Sequence, residues 1–374
     1  MGEDKFKIDG EKIFYHKDRI EEWLEGSKKV YPIYMEVTPF GGCNHKCKFC
    51  AVDYLGYKTE SLDEHILGER LSEMGELGIR SIMYAGEGEP LLHKGLSRII
   101  SNTKNSGIDV SITTNATPLT EKFVEESIVN VTWIKASIDA GKAETYAKVH
   151  GTREEAFEFV WRNLENAIKI RQKYSLNPVE HTFGAQMLLL PENADEAIIF
   201  AKRAKDIGLD YAVIKPYSQH KKSETHIYEN ISYDKYMEID DELKELNSKN
   251  FETIFRKKTM NELKKDKPEY PKCLSTPHFW AYIMANGDVY GCSAYLGDKK
   301  FCYRNINENS FKEIWLGEKR MENMDYVNRV LDIGECRRNC RMNHVNNSLW
   351  KVVNGEIKLG DIDITEDLPH KNFI

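Results

Sequence analysis

Short apolar runs recur along the first two thirds of the chain, separated by polar stretches with helical spacing. Residues 32–37, 81–85, 109–114, 133–137, 182–189 and 211–215 each read as a strand. Between them, Phe157, Val160, Trp161, Leu164 and Ile168 share one face of a helix over 154–173. Ser61-Leu62-Asp63-Glu64 reads as a capping box opening a helix to about residue 77, and Asn193 to Glu196 caps another. Strands alternating with helices predict parallel βα units, hence the α/β class. Six strands fall short of the eight that close a full barrel. In such sheets the chemistry sits at the carboxyl ends of the strands.

The flanks differ. Residues 5–15 alternate around Asp9-Gly10, a two-residue hairpin signal, and a helix follows over 18–25. Residues 219–270 are dense in Lys, Glu and Asp, with one amphipathic helix after Ser232, and read as a mostly solvated bridge. Residues 280–285 and 288–293 flank Asn286-Gly287, a type I′ hairpin signal. Residues 305–316 read as a turn into a helix, and the last thirty are polar. The pattern divides the chain into an N-terminal hairpin and helix (1–31), a barrel-like unit (32–218), a charged helical bridge (219–270), a small second domain (271–345) and a tail (346–374).

At 374 residues the chain suits one large domain with one or two small ones. Charged residues make up 30% and hydrophobic residues 41%, the balance of a soluble globular protein. A net charge of −7 argues against a large nucleic-acid footprint. No apolar run follows the first residues and none approaches a membrane span, so a cytoplasmic location is expected. There, clustered cysteines point to metal rather than to disulfides.

The eight cysteines fall in three places. Cys43, Cys47 and Cys50 follow the first strand as C-x3-C-x2-C, with Phe49 just before the last thiol. One short loop can aim three such thiolates at one face of an iron–sulfur cube. Tetrahedral zinc would need a fourth protein ligand. His45 is adjacent, but it sits inside the loop where its neighbours must converge. The natural reading is a [4Fe–4S] cluster with one iron left open. This spacing resembles the signature of the radical S-adenosylmethionine (SAM) superfamily; a zinc knuckle is the alternative.

The resemblance implies a partial (β/α)6 TIM-like barrel. It also implies that Gly86-Glu87-Gly88-Glu89-Pro90, after the second strand, is the counterpart of a Gly-Gly-Glu-Pro motif, with Glu87 in place of a glycine. Gly88 and Glu89 would then hold the SAM amino group. Asn115 ends the third strand; Ser137 and Asp139, sharing a face, end the fourth and would address the ribose or carboxylate. Leu188 and Phe49 would line the adenine. His150-Gly151 reads as structural. The family chemistry is one-electron cleavage of SAM to a 5′-deoxyadenosyl radical, with a flavodoxin or ferredoxin as electron donor.

A second set, Cys273-x13-Gly287-x4-Cys292 and then Cys336-x3-Cys340, resembles the SPASM and twitch auxiliary-cluster domains. It implies one auxiliary [4Fe–4S] cluster, with structural zinc as the alternative. Cys302 is left over: a buried small hydrophobe, another ligand or a hydrogen-atom donor. Lys215 and Tyr217, ending the sixth strand, point toward a substrate pocket as tentative catalytic groups beside Cys302. The expected function is a radical SAM oxidoreductase or epimerase acting on a small polar metabolite such as a sugar, aminocyclitol or nucleotide sugar. A peptide-modifying maturase and a non-catalytic iron–sulfur carrier are the alternatives. The short leader and reduced cysteine set argue against the first, and the polar strand ends argue against the second.

Overall fold

The computed structural model describes residues 4–8, 12–265, 267–364 and 368–374. Ten strands form one sheet: β1 (Tyr34–Val37), β2 (Ser81–Tyr84), β3 (Asp109–Thr114), β4 (Trp133–Ser137), β5 (Thr182–Leu189), β6 (Tyr211–Pro216), β7 (Glu252–Phe255), β8 (Trp280–Ile283), β9 (Asp288–Tyr290) and β10 (Cys302–Asn305). From β1 to β7 each strand pairs in parallel with the next. β8 pairs in parallel with β1, Tyr34 opposite Trp280. Eight parallel strands therefore follow the order of a closed barrel, 8-1-2-3-4-5-6-7, open between β7 and β8.

The six expected strands are all present, and the two additions correct the sequence reading. β7 lies in the supposed bridge, where only Ile254 and Phe255 of its four residues are apolar and the surrounding segment is dense in charge. That segment also buries Tyr228, Tyr233, Leu243 and Phe251, so it is a packed layer and not a solvated linker. β8 belongs to the expected hairpin, yet its other edge completes the barrel sheet, so the second domain is continuous with the first.

The helices cover the sheet as their patterns predict. Helix Glu155–Lys173 buries the Phe157, Val160, Trp161, Leu164 and Ile168 face in the main core. Helix Glu64–Glu76 is capped by Asp63, which accepts from His65 N and Ile66 N, and not by Ser61. Asn193 does not cap its helix either; its amide donates to Asp139 O and Leu188 O at 2.7 and 2.8 Å. A second core joins Ile13, Ile20, Trp280, Phe301 and Leu349, packing the N-terminal segment on the second domain.

Asp9-Gly10 lies outside the described residues. The flank beyond it is a 3₁₀ turn, Ile13–His16, running into helix Lys17–Leu24, and not a strand. The β8–β9 hairpin forms as expected, but its turn is of another class. Asn286 keeps a negative φ, only Gly287 is left-handed (φ +91°), and Gly287 N donates to Met284 O at 2.9 Å. This is a turn followed by a left-handed glycine, the three-residue hairpin loop.

The polar tail has a definite place. Phe373 packs on Trp133 and Tyr34, and His370 stacks on Phe6 with centroids 5.0 Å apart. Asn372 O accepts from Ser81 Oγ at 2.5 Å, and its amide donates to Asp109 at 2.7 Å. These partners open β1 to β4, so the tail closes the floor of the barrel, opposite the cysteine loop.

Candidate functional site

The first cysteine loop leaves β1 at the carboxyl end of the sheet and is strapped from two sides. On one side Glu89 N donates to Gly42 O at 2.9 Å. A Cβ on Gly88 would lie 2.2 Å from Phe40 O and 2.5 Å from Gly42 O, so only glycine allows this approach. On the other side Lys46 N and Lys48 N donate to His150 O and Val149 O at 3.1 and 2.9 Å. Gly151 caps helix Ala143–His150 with φ +59°, and a Cβ there would meet Lys46 O at 2.4 Å.

The thiols are half-buried and act on one another's ionisation. Burial pushes Cys43 up to about 11 and Cys47 well above its ordinary value, and the neighbouring thiols add to both. Burial also raises Cys50. Three adjacent thiols that resist ionisation in the free chain fit a site where iron takes the place of their protons. His150, read from the sequence as structural, sits against this site: Nδ1 is 3.1 Å from Cys47 Sγ and Nε2 is 2.8 Å from Ile138 O. Burial lowers its pKa to about 3, so the ring is neutral.

The second set is assembled from distant segments. Cys273, Cys292, Cys336 and Cys340 line one pocket with Trp280, Phe301 and Asn346. Burial raises Cys340 to about 12 and Cys292 well above its ordinary value, with the other thiols adding. Four thiols lining one pocket supply the number of protein ligands that a complete cluster takes. Asn346 braces the site: its Oδ1 accepts from Leu274 N and Ser275 N at 2.6 and 2.9 Å, and its amide is 3.6 Å from Cys273 Sγ. Asn346 sits on helix Asn343–Val353, which runs across the expected domain boundary at 345. Cys302 is apart from the four. It faces Tyr290 across the β9–β10 ladder, and neither cavity includes it.

A cavity of about 510 Å³ runs through the barrel. Phe49 and Cys50 line it on the side of the first loop, and Cys340 lines both this cavity and the four-thiol pocket. Ser137, Leu188, Lys215 and Tyr217 also line it. Tyr217 OH is buried without a hydrogen-bond partner among the described residues, while its backbone N donates to Tyr233 OH at 2.7 Å.

The remaining expected SAM residues are placed behind this surface. Glu89 accepts from Leu91 N, Thr114 Oγ1 and Asn115 N at 3.1, 2.6 and 2.7 Å. Burial nevertheless raises its pKa to about 7. Asn115 donates to Asn44 Oδ1 at 2.7 Å, so it ties β3 to the cysteine loop. Glu87 turns away, accepting from Ala285 N at 2.7 Å, and so joins β2 to the end of β8. Asp139 is fully buried; Oδ1 accepts from Leu188 N at 2.5 Å and Oδ2 has no hydrogen-bond partner among the described residues.

Sequence reading missed the charged residues inside the barrel. Glu36 is the third residue of β1 and Lys135 the third of β4, each in an otherwise mostly apolar strand. Both point into the cavity with Arg256 and Arg341, and Arg341 pairs with Glu36. The signal was present: by the two-residue period, Lys135 shares a face with Ser137.

Comparison with known proteins places these features. The profile of the radical SAM superfamily matches residues 37–211, and that of the SPASM iron–sulfur cluster-binding domain matches 273–341. A SAM-dependent nucleotide dehydratase of Lacinutrix mariniflava is 36% identical over 112 residues, 29% of this chain and 23% of that protein. A probable GTP 3′,8-cyclase of Methanococcus vannielii is 30% identical over 204 residues, 52% of this chain and 64% of that protein. The matched segments thus span less than two thirds of these relatives. The fold is shared with Streptococcus suis SuiB bound to SAM, at TM-score 0.63 and 16% identity over 79% of this chain and 68% of that one. No helix among the described residues is long and apolar enough to cross a membrane. The two profiles match where the two thiol sets lie: the chain carries a radical SAM domain and a SPASM iron–sulfur cluster-binding domain, which imply SAM and [4Fe–4S] clusters as cofactors.

Proposed function

We propose that this enzyme abstracts hydrogen from a small polar metabolite held in the barrel cavity, giving oxidation or epimerisation. The observation that carries the reading is the cavity itself, which is lined by Cys50 of one thiol set and Cys340 of the other. When bound, SAM and the clusters supply a 5′-deoxyadenosyl radical and a second redox centre. Cys43, Cys47 and Cys50 hold the first cluster; Cys273, Cys292, Cys336 and Cys340 hold the auxiliary one.

The chain's own residues do the positioning. Phe49, Ser137 and Leu188 contact SAM from the cavity wall, while Gly88, Glu89 and Asn115 fix the loop that presents the thiols. Asp139 fixes the β5 backbone at Leu188 through its hydrogen bond. Tyr217 offers a hydroxyl to the substrate, and Lys215 a cation. Cys302 does not line the cavity, so a hydrogen-donor role is not assigned to it. The buried cluster of Tyr217, Tyr228, Val149 and Leu190 packs against Phe49 and Leu188 and so backs that part of the cavity wall. The two relatives named for nucleotide chemistry support a nucleotide-bearing substrate over a peptide. A flavodoxin or ferredoxin serves as reductant.

Anaerobically reconstituted protein should hold about eight irons, two cubes' worth. On reduction with dithionite it should release 5′-deoxyadenosine from SAM. Intact clusters without SAM cleavage would overturn the reading.

A further inference from the structure

Among the described lining residues the barrel cavity carries an excess of positive charge. Lys7, Lys12, Lys135, Lys215, Arg256, Arg337 and Arg341 line it. Glu36 is the single side-chain carboxylate among the described lining residues, and it is committed to Arg341. Arg337 is committed to Ser218, donating to its carbonyl at 2.6 Å. Asp139 lies behind the wall, near Lys215. Apart from their backbone ladder bonds, neither Lys135 nor Lys215 has a hydrogen bond or ion pair among the described residues. Lys135 has only the face of Trp133, at 5.3 Å from the ring centre.

Cations gathered out of bulk water are costly unless paired. Their mutual influence is visible: burial, then Arg341 and Arg256, lowers Lys135 to about 7, and burial, then Lys135, Arg256 and Arg341, lowers Lys215 well below its ordinary value. Nothing in the sheet requires these charges, because apolar side chains would fill the positions at less cost. Their placement is explained by a ligand that brings the missing negative charge. Lys135 lies mid-strand, between Trp133 at the floor and Ser137 at the rim, so the anion sits deeper than the cysteine loop. A single carboxylate would leave most of the excess uncompensated. A diphosphate brings about two to three negative charges and several acceptor oxygens, the partners that lysine and arginine satisfy best. A volume of about 510 Å³ is that of a small-molecule site.

We propose that Lys135, Lys215 and Arg256 form an anion subsite inside the barrel that takes the phosphate groups of a phosphate-bearing substrate. This deepens the functional reading above and rests on it for the word substrate, although the binding can be tested without turnover.

The test is calorimetric titration of the anaerobically reconstituted holoenzyme with UDP, pyrophosphate and malonate, each with and without SAM. UDP and pyrophosphate are expected to bind, malonate at least tenfold more weakly, and SAM is expected not to compete. Lys135→Met should weaken UDP binding at least tenfold, and Lys135→Arg should restore it to within about threefold of wild type. Iron content and circular dichroism establish that both variants fold. Failure of UDP and pyrophosphate to bind wild type, equal binding by malonate, displacement of UDP by SAM, or unchanged UDP affinity in Lys135→Met would each overturn the subsite. Protein that binds UDP through Lys135 but never cleaves SAM would support the subsite and overturn the functional reading. Protein that cleaves SAM but binds neither phosphate ligand would overturn the subsite alone.

Discussion

The two thiol sites are built in opposite ways. Cys43, Cys47 and Cys50 come from one eight-residue loop, and the fold needs only to hold that loop at its two straps. Cys273, Cys292, Cys336 and Cys340 come from three separate segments gathered around Trp280 and Phe301. A site made from one loop can lose its metal while the surrounding sheet stays intact. A site that staples distant segments contributes its metal-binding energy to folding. The first is therefore expected to control chemistry, and the second to control both architecture and the wall of the substrate cavity.

The largest effects should separate the two. Cys43→Ala is expected to reduce SAM cleavage below detection while leaving the thermal midpoint of the holoprotein within about 3 °C of wild type. Cys336→Ala is expected to lower that midpoint by about 10 °C, as metal-linked folding energy is lost. Equal midpoints in the two variants, measured by anaerobic calorimetry, would break the contrast.

The barrel floor offers a sharper test, through pH. Burial lowers His370 to about 3, whereas the unfolded chain binds its proton near pH 6.5. Between those values the unfolded state holds the extra proton, so stability is lost as pH falls below about 6.5. Relative to His370→Gln, which cannot titrate, wild type should lose about 1.4 kcal/mol per pH unit between pH 6 and 4.5. Urea unfolding at a series of pH values reads this directly; a flat difference would mean that the tail is not docked on the floor.

The junction between the regions should show a smaller effect. Glu87→Ala removes the bond to Ala285 N and leaves that buried donor unpaired, at a cost of about 2 kcal/mol. The thermal midpoint of the holoprotein should fall accordingly. The smallest effect lies wholly within the second region. Ser310→Ala breaks the capping box with Glu313 and should cost about 1 kcal/mol, with SAM cleavage unchanged.

The same contrast explains what could be read from the chain. The first loop is legible because spacing alone defines it, and β1 to β6 are legible because each is a compact apolar run. The second set is legible as a motif, but its geometry depends on β8 reaching β1, a pairing that no local pattern encodes. β7 escaped notice because Glu252-Thr253-Ile254-Phe255 has only two apolar residues, in a segment dense in Lys, Glu and Asp. The tail escaped because its docking rests on single residues, His370, Asn372 and Phe373, and not on a periodic face. The cationic lining was hidden for another reason: Glu36 and Lys135 interrupt apolar strands, and a reading tuned to core residues passes over such interruptions.

The account turns on a substrate cavity lined by two separate thiol sites. Iron anomalous diffraction from crystals of the reconstituted protein tests this most directly. Two iron peaks are predicted, one against Cys43, Cys47 and Cys50 and one against Cys273, Cys292, Cys336 and Cys340, with the barrel cavity between them. A single iron peak, or zinc at the four-thiol pocket, would contradict it.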